Sequence, residues 1–436
     1  MAVADDLPEI LASRINERKA VGILVATVDA GGRNVVAFGR VAKDRDTVPN
    51  VNTVFEIGSI TKVFTSLLLA DMVELGEVRL DTPVADLLPK TVKMPSHNGR
   101  QITLLDLSMQ MSGLPRLPAN MHPADFANPY ADYSAAKLYE FLSGYTLTRD
   151  PGEKYEYSNL GAGLLGHALA LKAGMPYEEL VRRRILEPLR MRSTSITLSE
   201  EMKQRIASGY DAQLSPAKNW DFDALAGCGA LRSTASDMLR FLSANLELTD
   251  TPLRGAMRRM RSVSKPTGAP DLNIDMAWHV FTRFGREIVW HNGGTFGYRS
   301  FIGFDPAAKK GVVVLCNTFL DVDDIGLHVL DARYPVAKFT APRVHTQIPV
   351  DSGVLQRYVG EYQLAPSFSI RVTLDGGRLM AQATGQPAFE IFAEKENEFF
   401  YKVVDAQITF KVDSSGLATE LVLHQNGRDM PAARVK

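Results

Sequence analysis

The hydrophobic pattern changes period along the chain, and each change marks a part. Leu7, Ile10, Leu11 and Ile15 recur at helical spacing among charges, so residues 7–19 read as an amphipathic helix. Residues 22–28 form an unbroken apolar run of strand length, and Gly31-Gly32 turns it into Val35-Val36-Ala37-Phe38-Gly39, giving a hairpin. Val63, Phe64, Leu67, Leu68, Leu69 and Met72 then outline a helix apolar enough to be buried, ending near Gly76. Further helices are expected at 103–111, 134–143, 160–173, 177–186 and 235–246, and strands at 276–282, 286–291, 299–304 and 311–317. Strands at both ends with helices between them predict an α+β fold. Its core is one antiparallel sheet flanked by helices, with edges drawn from sequence-distant segments. An inserted helical subdomain packs against it and leaves a cleft.

The texture changes near residue 340. Ala341-Pro342-Arg343-Val344-His345-Thr346-Gln347-Ile348-Pro349-Val350 reads as a linker bounded by prolines. Beyond it, Phe368-Ser369-Ile370-Arg371-Val372-Thr373-Leu374 and Ile408-Thr409-Phe410-Lys411-Val412 alternate strictly. Asp375-Gly376-Gly377, Asp413-Ser414-Ser415-Gly416 and Asn426-Gly427 supply turns. These predict a small antiparallel barrel or sandwich. The expected division is therefore a first domain over 1–338, a linker over 339–352 and a β-domain over 353–436.

Composition narrows the classes of function. A chain of 436 residues, 45% hydrophobic and 23% charged, has ample core for two or three domains. With a formal net charge of -1 and no sustained basic stripe, nucleic acid is not an expected partner. The arginines from 254 to 261 read as an exposed helix face. No apolar run is long enough to span a membrane. The first residues lack the regions of a signal peptide, so the location is periplasmic or secreted if an export signal was removed, and otherwise cytoplasmic. Cys228 and Cys316 sit in apolar surroundings and have no metal spacing, so both are expected as small buried residues. No metal and no cofactor is expected. A homo-oligomer stays open.

The chemistry starts at Ser59-Ile60-Thr61-Lys62, where the buried helix begins. A serine and a lysine three residues apart share one helix face, which places an amine within reach of a hydroxyl and can activate a weak nucleophile. The spacing alone decides little, because Ser-x-x-Lys also occurs at Ser134/Lys137, Ser215/Lys218 and Ser262/Lys265. Ser134 reads as the N-cap of the helix after it, Ser215 lies in a polar loop, and Ser262 stands among arginines. Only Ser59 precedes a helix apolar enough to be buried, with Gly58 before it allowing close backbone approach.

Two further segments offer partners. Tyr157-Ser158-Asn159 is the only Tyr-x-Asn among thirteen tyrosines. A tyrosine beside Lys62 could act as a general base, and Asn159 carries a donor and an acceptor for a substrate amide. Read alone, the pair is better taken as a tyrosine ring packed on a helix with Asn159 as its N-cap. The third segment is His291-Asn292-Gly293-Gly294-Thr295-Phe296-Gly297-Tyr298, at the end of a strand. Its glycines permit close approach of a ligand, and one of its backbone N–H groups could form half of an oxyanion hole.

In this order and at these separations, Ser59-x-x-Lys62, Tyr157-x-Asn159 and His291-x-Gly293 resemble the three motifs of the penicillin-recognising serine hydrolases. The similar branch is the one that holds class C β-lactamases, D-alanyl-D-alanine carboxypeptidases, D-aminopeptidases and family VIII carboxylesterases. Ser112-Gly113-Leu114-Pro115 and the segment 229–238 agree with it, and the resemblance covers roughly residues 7–335. Residues 354–435 resemble the lipocalin-like β-barrel often appended to such proteins. The resemblance implies Ser59 as nucleophile, Lys62 and Tyr157 as the proton-handling pair and Asn159 as the holder of the substrate amide. It implies an oxyanion hole from the backbone N–H groups of Ser59 and Gly294.

His291 stands where most true β-lactamases have lysine, on the side where a substrate carboxylate binds. A histidine there is expected to be only partly charged at neutral pH, which would weaken the grip on an anionic β-lactam. Gln110-Met111 is a second departure, where histidine and threonine are common. The expected activity is acyl-enzyme hydrolysis of a small-molecule or short-peptide substrate: an ester, a D-amino-acid peptide, or a β-lactam weakly. A dedicated class C-like β-lactamase and a low-turnover penicillin-binding or scaffold protein are the alternatives.

Overall fold

A computed structural model describes residues 6–17, 19–337, 345–365, 368–384, 386–404, 406–425 and 428–435. Residues 339–344 of the expected linker and the turn at Asn426-Gly427 lie outside them. The chain forms two compact units. One is residues 1–210 with 216–339, and the other is residues 211–215 with 340–436.

The first unit is built on an eight-stranded antiparallel sheet. In space its strands run Gly32–Gly39, Gly22–Asp29, Lys310–Cys316, Arg299–Asp305, Arg286–Gly294, His279–Arg283, Leu272–Ile274 and Lys265–Pro266. The N-terminal hairpin thus pairs with the last strand of the unit, with Ile23 opposite Cys316 and Val25 opposite Val314. Both sheet faces are covered, which is why 22–28 carries no polar alternation. Leu24, Ala26 and Val28 face the large helical body. Ile23 and Val25 face Leu7, Leu11, Ile325 and Val329, from the helices Leu7–Asn16 and Asp323–Leu330.

The helix Thr61–Glu74 runs through the middle of that body. Phe64, Leu67, Leu68, Leu69 and Met72 are all fully buried, and Lys62 is buried with them. Each such aliphatic or aromatic side chain contributes roughly 1.5–3 kcal/mol. The helix is therefore buried on every side from Thr61 to Ala70, and a lysine there needs specific partners.

Several elements differ from the expected ones for local reasons. The helix expected at 103–111 is Leu104–Ser108, because Gln110 takes a left-handed φ of 58°. The strand expected at 276–282 begins only at His279, after Ala277 with φ of 62°. The helix at 177–186 is α-helical over Tyr177–Val181 and widens over Arg182–Leu186. The arginines near 254–261 do lie on a helix, Arg254–Met260, and on the residue after it. They are paired: Arg258 with Glu247, Arg259 with Glu74, and Arg261 with Asp275.

The second unit is a closed barrel of eight antiparallel strands in sequence order, from Gly360–Ala365 to Arg428–Arg434. Tyr362 opposite Arg434 closes it. Ile370, Val372, Leu379, Ala381, Ile408, Phe410 and Leu421 alternate into its core.

Candidate active site

Three chain segments converge at the start of the Thr61–Glu74 helix. The short strand Val54–Glu56, paired with Arg232–Thr234, leads into a tight helical turn, Gly58–Ile60, and Ser59 sits in that turn rather than in the helix proper. Lys62 points back at it, and its Nζ donates to Ser59 Oγ at 2.9 Å and to the Cys228 carbonyl at 2.7 Å. That carbonyl gives the buried ammonium the acceptor it needs. Of the four Ser-x-x-Lys matches, only this one joins hydroxyl to amine among the described residues. Ser134 caps its helix by accepting from the Lys137 backbone N–H, and the Ser262 hydroxyl donates to the Arg259 carbonyl.

Tyr157 lies across from Lys62. Lys62 Nζ is 4.8 Å from its ring centroid, and the Arg116 guanidinium is 5.1 Å from it. Two cations therefore lie close to this ring. Asn159 opens the helix Asn159–Ala173, but Ser158 is its cap, accepting from Gly161 N–H at 2.8 Å. Asn159 is left free for other work. Its Nδ2 donates to the Tyr130 hydroxyl at 2.8 Å, and its Oδ1 is buried without a partner. An unpaired buried acceptor is costly unless something supplies a donor.

The strand Arg286–Gly294 brings its glycines against the Ser59 turn. A side-chain carbon on Gly293 would fall 1.9 Å from the Ile57 carbonyl oxygen, and one on Gly58, whose φ is +50°, would fall 2.6 Å from Gly294 N. Only glycine allows the two backbones to approach this closely. Ser300 Oγ holds the approach by donating to the Ile57 carbonyl at 2.9 Å.

His291 differs from expectation. It is 1% exposed, and its ring lies 6.4 Å from that of Tyr157 and 5.2 Å from that of His279. Burial, with His279 and Lys62 close by, holds its pKa well below the ordinary value, so it is neutral at pH 7 rather than partly charged. Its Nδ1–H donates to the Asn292 carbonyl at 2.5 Å, which leaves Nε2 as an acceptor. The positive charge on this side comes from Arg299. Its guanidinium stacks 3.8 Å from the Phe319 ring centroid, and its Nη1 would lie 2.2 Å from a side-chain carbon on Gly294. Half-buried Trp220, Phe222 and Phe296 form an aromatic wall, with Phe222 also stacked on Tyr130.

Arg116, Arg299, Tyr130 and the Cys228 carbonyl were not singled out from the sequence. Cys228 lies between Gly227 and Gly229, a hint of close backbone approach, and Arg116 follows the Ser112–Pro115 turn; Arg299 carries no signal of its own.

Residues 7–333 match the protein family described as Beta-lactamase. The chain belongs to the beta-lactamase family. Residues 345–434 match a family described only as a domain of unknown function. D-alanyl-D-alanine-carboxypeptidase/endopeptidase AmpH of Escherichia coli is 31% identical over 312 residues, covering 68% of this chain and 79% of that one. A penicillin-binding protein of Bacillus subtilis is 26% identical over 427 residues, 92% of each chain. Among solved structures, a beta-lactamase/D-alanine carboxypeptidase from Yersinia pestis superposes with a TM-score of 0.66 at 25% identity, over 76% of this chain and 99% of that one. Membership of the beta-lactamase family makes this chain a serine hydrolase.

Proposed function

We propose that Ser59 forms an acyl-enzyme with a carboxylate-bearing amide substrate, a D-amino-acid peptide first and a β-lactam second. Holding one proton between them, Lys62 and Tyr157 take up the Ser59 proton as a pair while its oxygen attacks the carbonyl. The backbone N–H groups of Ser59 and Gly294 hold the oxyanion. Tyr157 then protonates the departing nitrogen, and water releases the acyl group. The observation that carries this reading is the 2.9 Å bond from Lys62 Nζ to Ser59 Oγ, with the Tyr157 ring beside Lys62 and Gly294 against Gly58.

The substrate class follows from Asn159 Oδ1, which lacks a protein partner, and from the guanidinium of Arg299. Asn159 Oδ1 suits an amide N–H, which an ester does not have. Arg299, beside Gly294, suits a carboxylate at the end of the substrate nearest the glycines, a place that neutral His291 would fill poorly. Ester hydrolysis would then be a side activity.

The test compares a D-alanyl-D-alanine peptide, a chromogenic cephalosporin and p-nitrophenyl acetate on the wild type, Ser59→Ala and Arg299→Met. Turnover of the peptide or cephalosporin that vanishes in Ser59→Ala, with KM raised in Arg299→Met, is the expected result. An acetate preference that Arg299→Met leaves untouched would overturn the substrate class. An acyl adduct that forms without turnover would favour a penicillin-binding protein.

A further inference from the structure

We infer that Gln110 is a positioning residue that clamps Tyr157 from both sides. The inference rests on the role proposed above for Tyr157. Gln110 is 3% exposed and holds the left-handed conformation, φ 58°, that side chains rarely adopt. In that conformation its backbone carbonyl and its side chain reach the same segment. The carbonyl accepts the Glu156 N–H at 2.8 Å, and Oε1 accepts the Ser158 N–H at 2.6 Å. These are the residues immediately before and after Tyr157, so one residue fixes the backbone on either side of the phenol.

The surrounding bonds hold the ends of the same segment and leave its middle to Gln110. The Gly152 N–H donates to the Met111 carbonyl at 2.8 Å, and the Asn159 N–H donates to the Arg116 carbonyl at 3.0 Å. Ser158 Oγ donates to the Pro115 carbonyl at 2.6 Å. At Gln110 a side chain from outside the segment is the acceptor. The strained backbone and the buried amide are therefore kept together for one geometry, the placement of Tyr157 against Lys62 and Arg116. A glutamine does this with an acceptor that has no ionisation of its own.

A double-mutant cycle tests the clamp on the full chain, with whichever chromogenic substrate the wild type turns over. Gln110→Met keeps the side-chain length and removes the acceptor, whereas Gln110→Glu keeps the acceptor. A displaced catalytic group costs about tenfold to a hundredfold in kcat, so Gln110→Met should lose that much with little change in KM, and Gln110→Glu should restore most of it. In the Tyr157→Phe background, Gln110→Met should cost almost nothing more. Equal losses in the two backgrounds, or equal losses in the Met and Glu variants, would overturn the clamp and leave Gln110 a residue of general stability. Thermal melts of every variant distinguish a misfolded protein from a misplaced tyrosine. If Tyr157→Phe alone keeps full activity, the role of Tyr157 fails, and the clamp falls with it.

Discussion

Replacing Gly293 by alanine tests the contact that places the strand whose Gly294 N–H is proposed to hold the oxyanion. The new methyl carbon would stand 1.9 Å from the Ile57 carbonyl oxygen and 2.5 Å from Ser300 Oγ, where real side-chain carbons stay beyond 3.0 Å. Ile57 cannot yield easily: its carbonyl takes the Ser300 hydroxyl, and its N–H is bonded to the Leu231 carbonyl at 3.1 Å. The strand must instead retreat by about 1 Å, taking the Gly294 N–H away from Gly58 and the turn that carries Ser59. A misplacement of that size costs about a hundredfold in rate, which is roughly 2.7 kcal/mol of transition-state stabilisation. The assay is kcat/KM on a chromogenic substrate, with a thermal melt to show that the variant is folded. Gly144→Ala is the control, since a side-chain carbon there meets nothing within 4 Å. A folded Gly293→Ala enzyme with kcat/KM close to that of the wild type would refute the reasoning.

Two further outcomes follow from the buried polar groups. Burial beside Lys62 lowers the pKa of His279 from 6.5 to about 4. The unfolded chain takes up a proton near pH 6.5 that the folded chain refuses until about pH 4, so this stability is complete above 6.5 and is lost as pH falls through 4. Its size is about 3 kcal/mol, and urea unfolding of the wild type and His279→Gln across that window should show a smaller pH slope in the variant; identical slopes would contradict it. Asn159→Ala should lower kcat/KM about tenfold or more for amide substrates and much less for p-nitrophenyl acetate, which has no N–H to offer; equal losses would show that Asn159 Oδ1 does not receive the substrate amide.

What the sequence made legible was local. Ser59 and Lys62 stand one turn apart at the start of a run rich in Phe, Leu and Met, and such a run could only be buried. The sheet was readable from apolar runs of strand length, and the barrel from strict alternation with turn residues. Tyr157, Asn159 and His291 became candidates only as a set, because their meeting depends on the whole fold. The protonation state of His291 was misjudged because it depends on His279 and Lys62, which arrive from other elements. The same holds for the Cys228 carbonyl under Lys62. Gln110 was visible as an unusual residue, but its use depends on a left-handed turn that no local pattern announces. The helix boundary at Ser108 and the strand boundary at His279 were missed for the same reason: both turn on non-glycine residues with positive φ.

The claim at the centre is that Ser59 is the nucleophile. Intact mass spectrometry after brief exposure to a penicillin, followed by peptide mapping, tests it most directly. With Ser59 as the nucleophile, the added mass equals the whole penicillin, is carried by the peptide containing Ser59 and is absent from Ser59→Ala. An adduct on any other residue, or one that persists in Ser59→Ala, would contradict it.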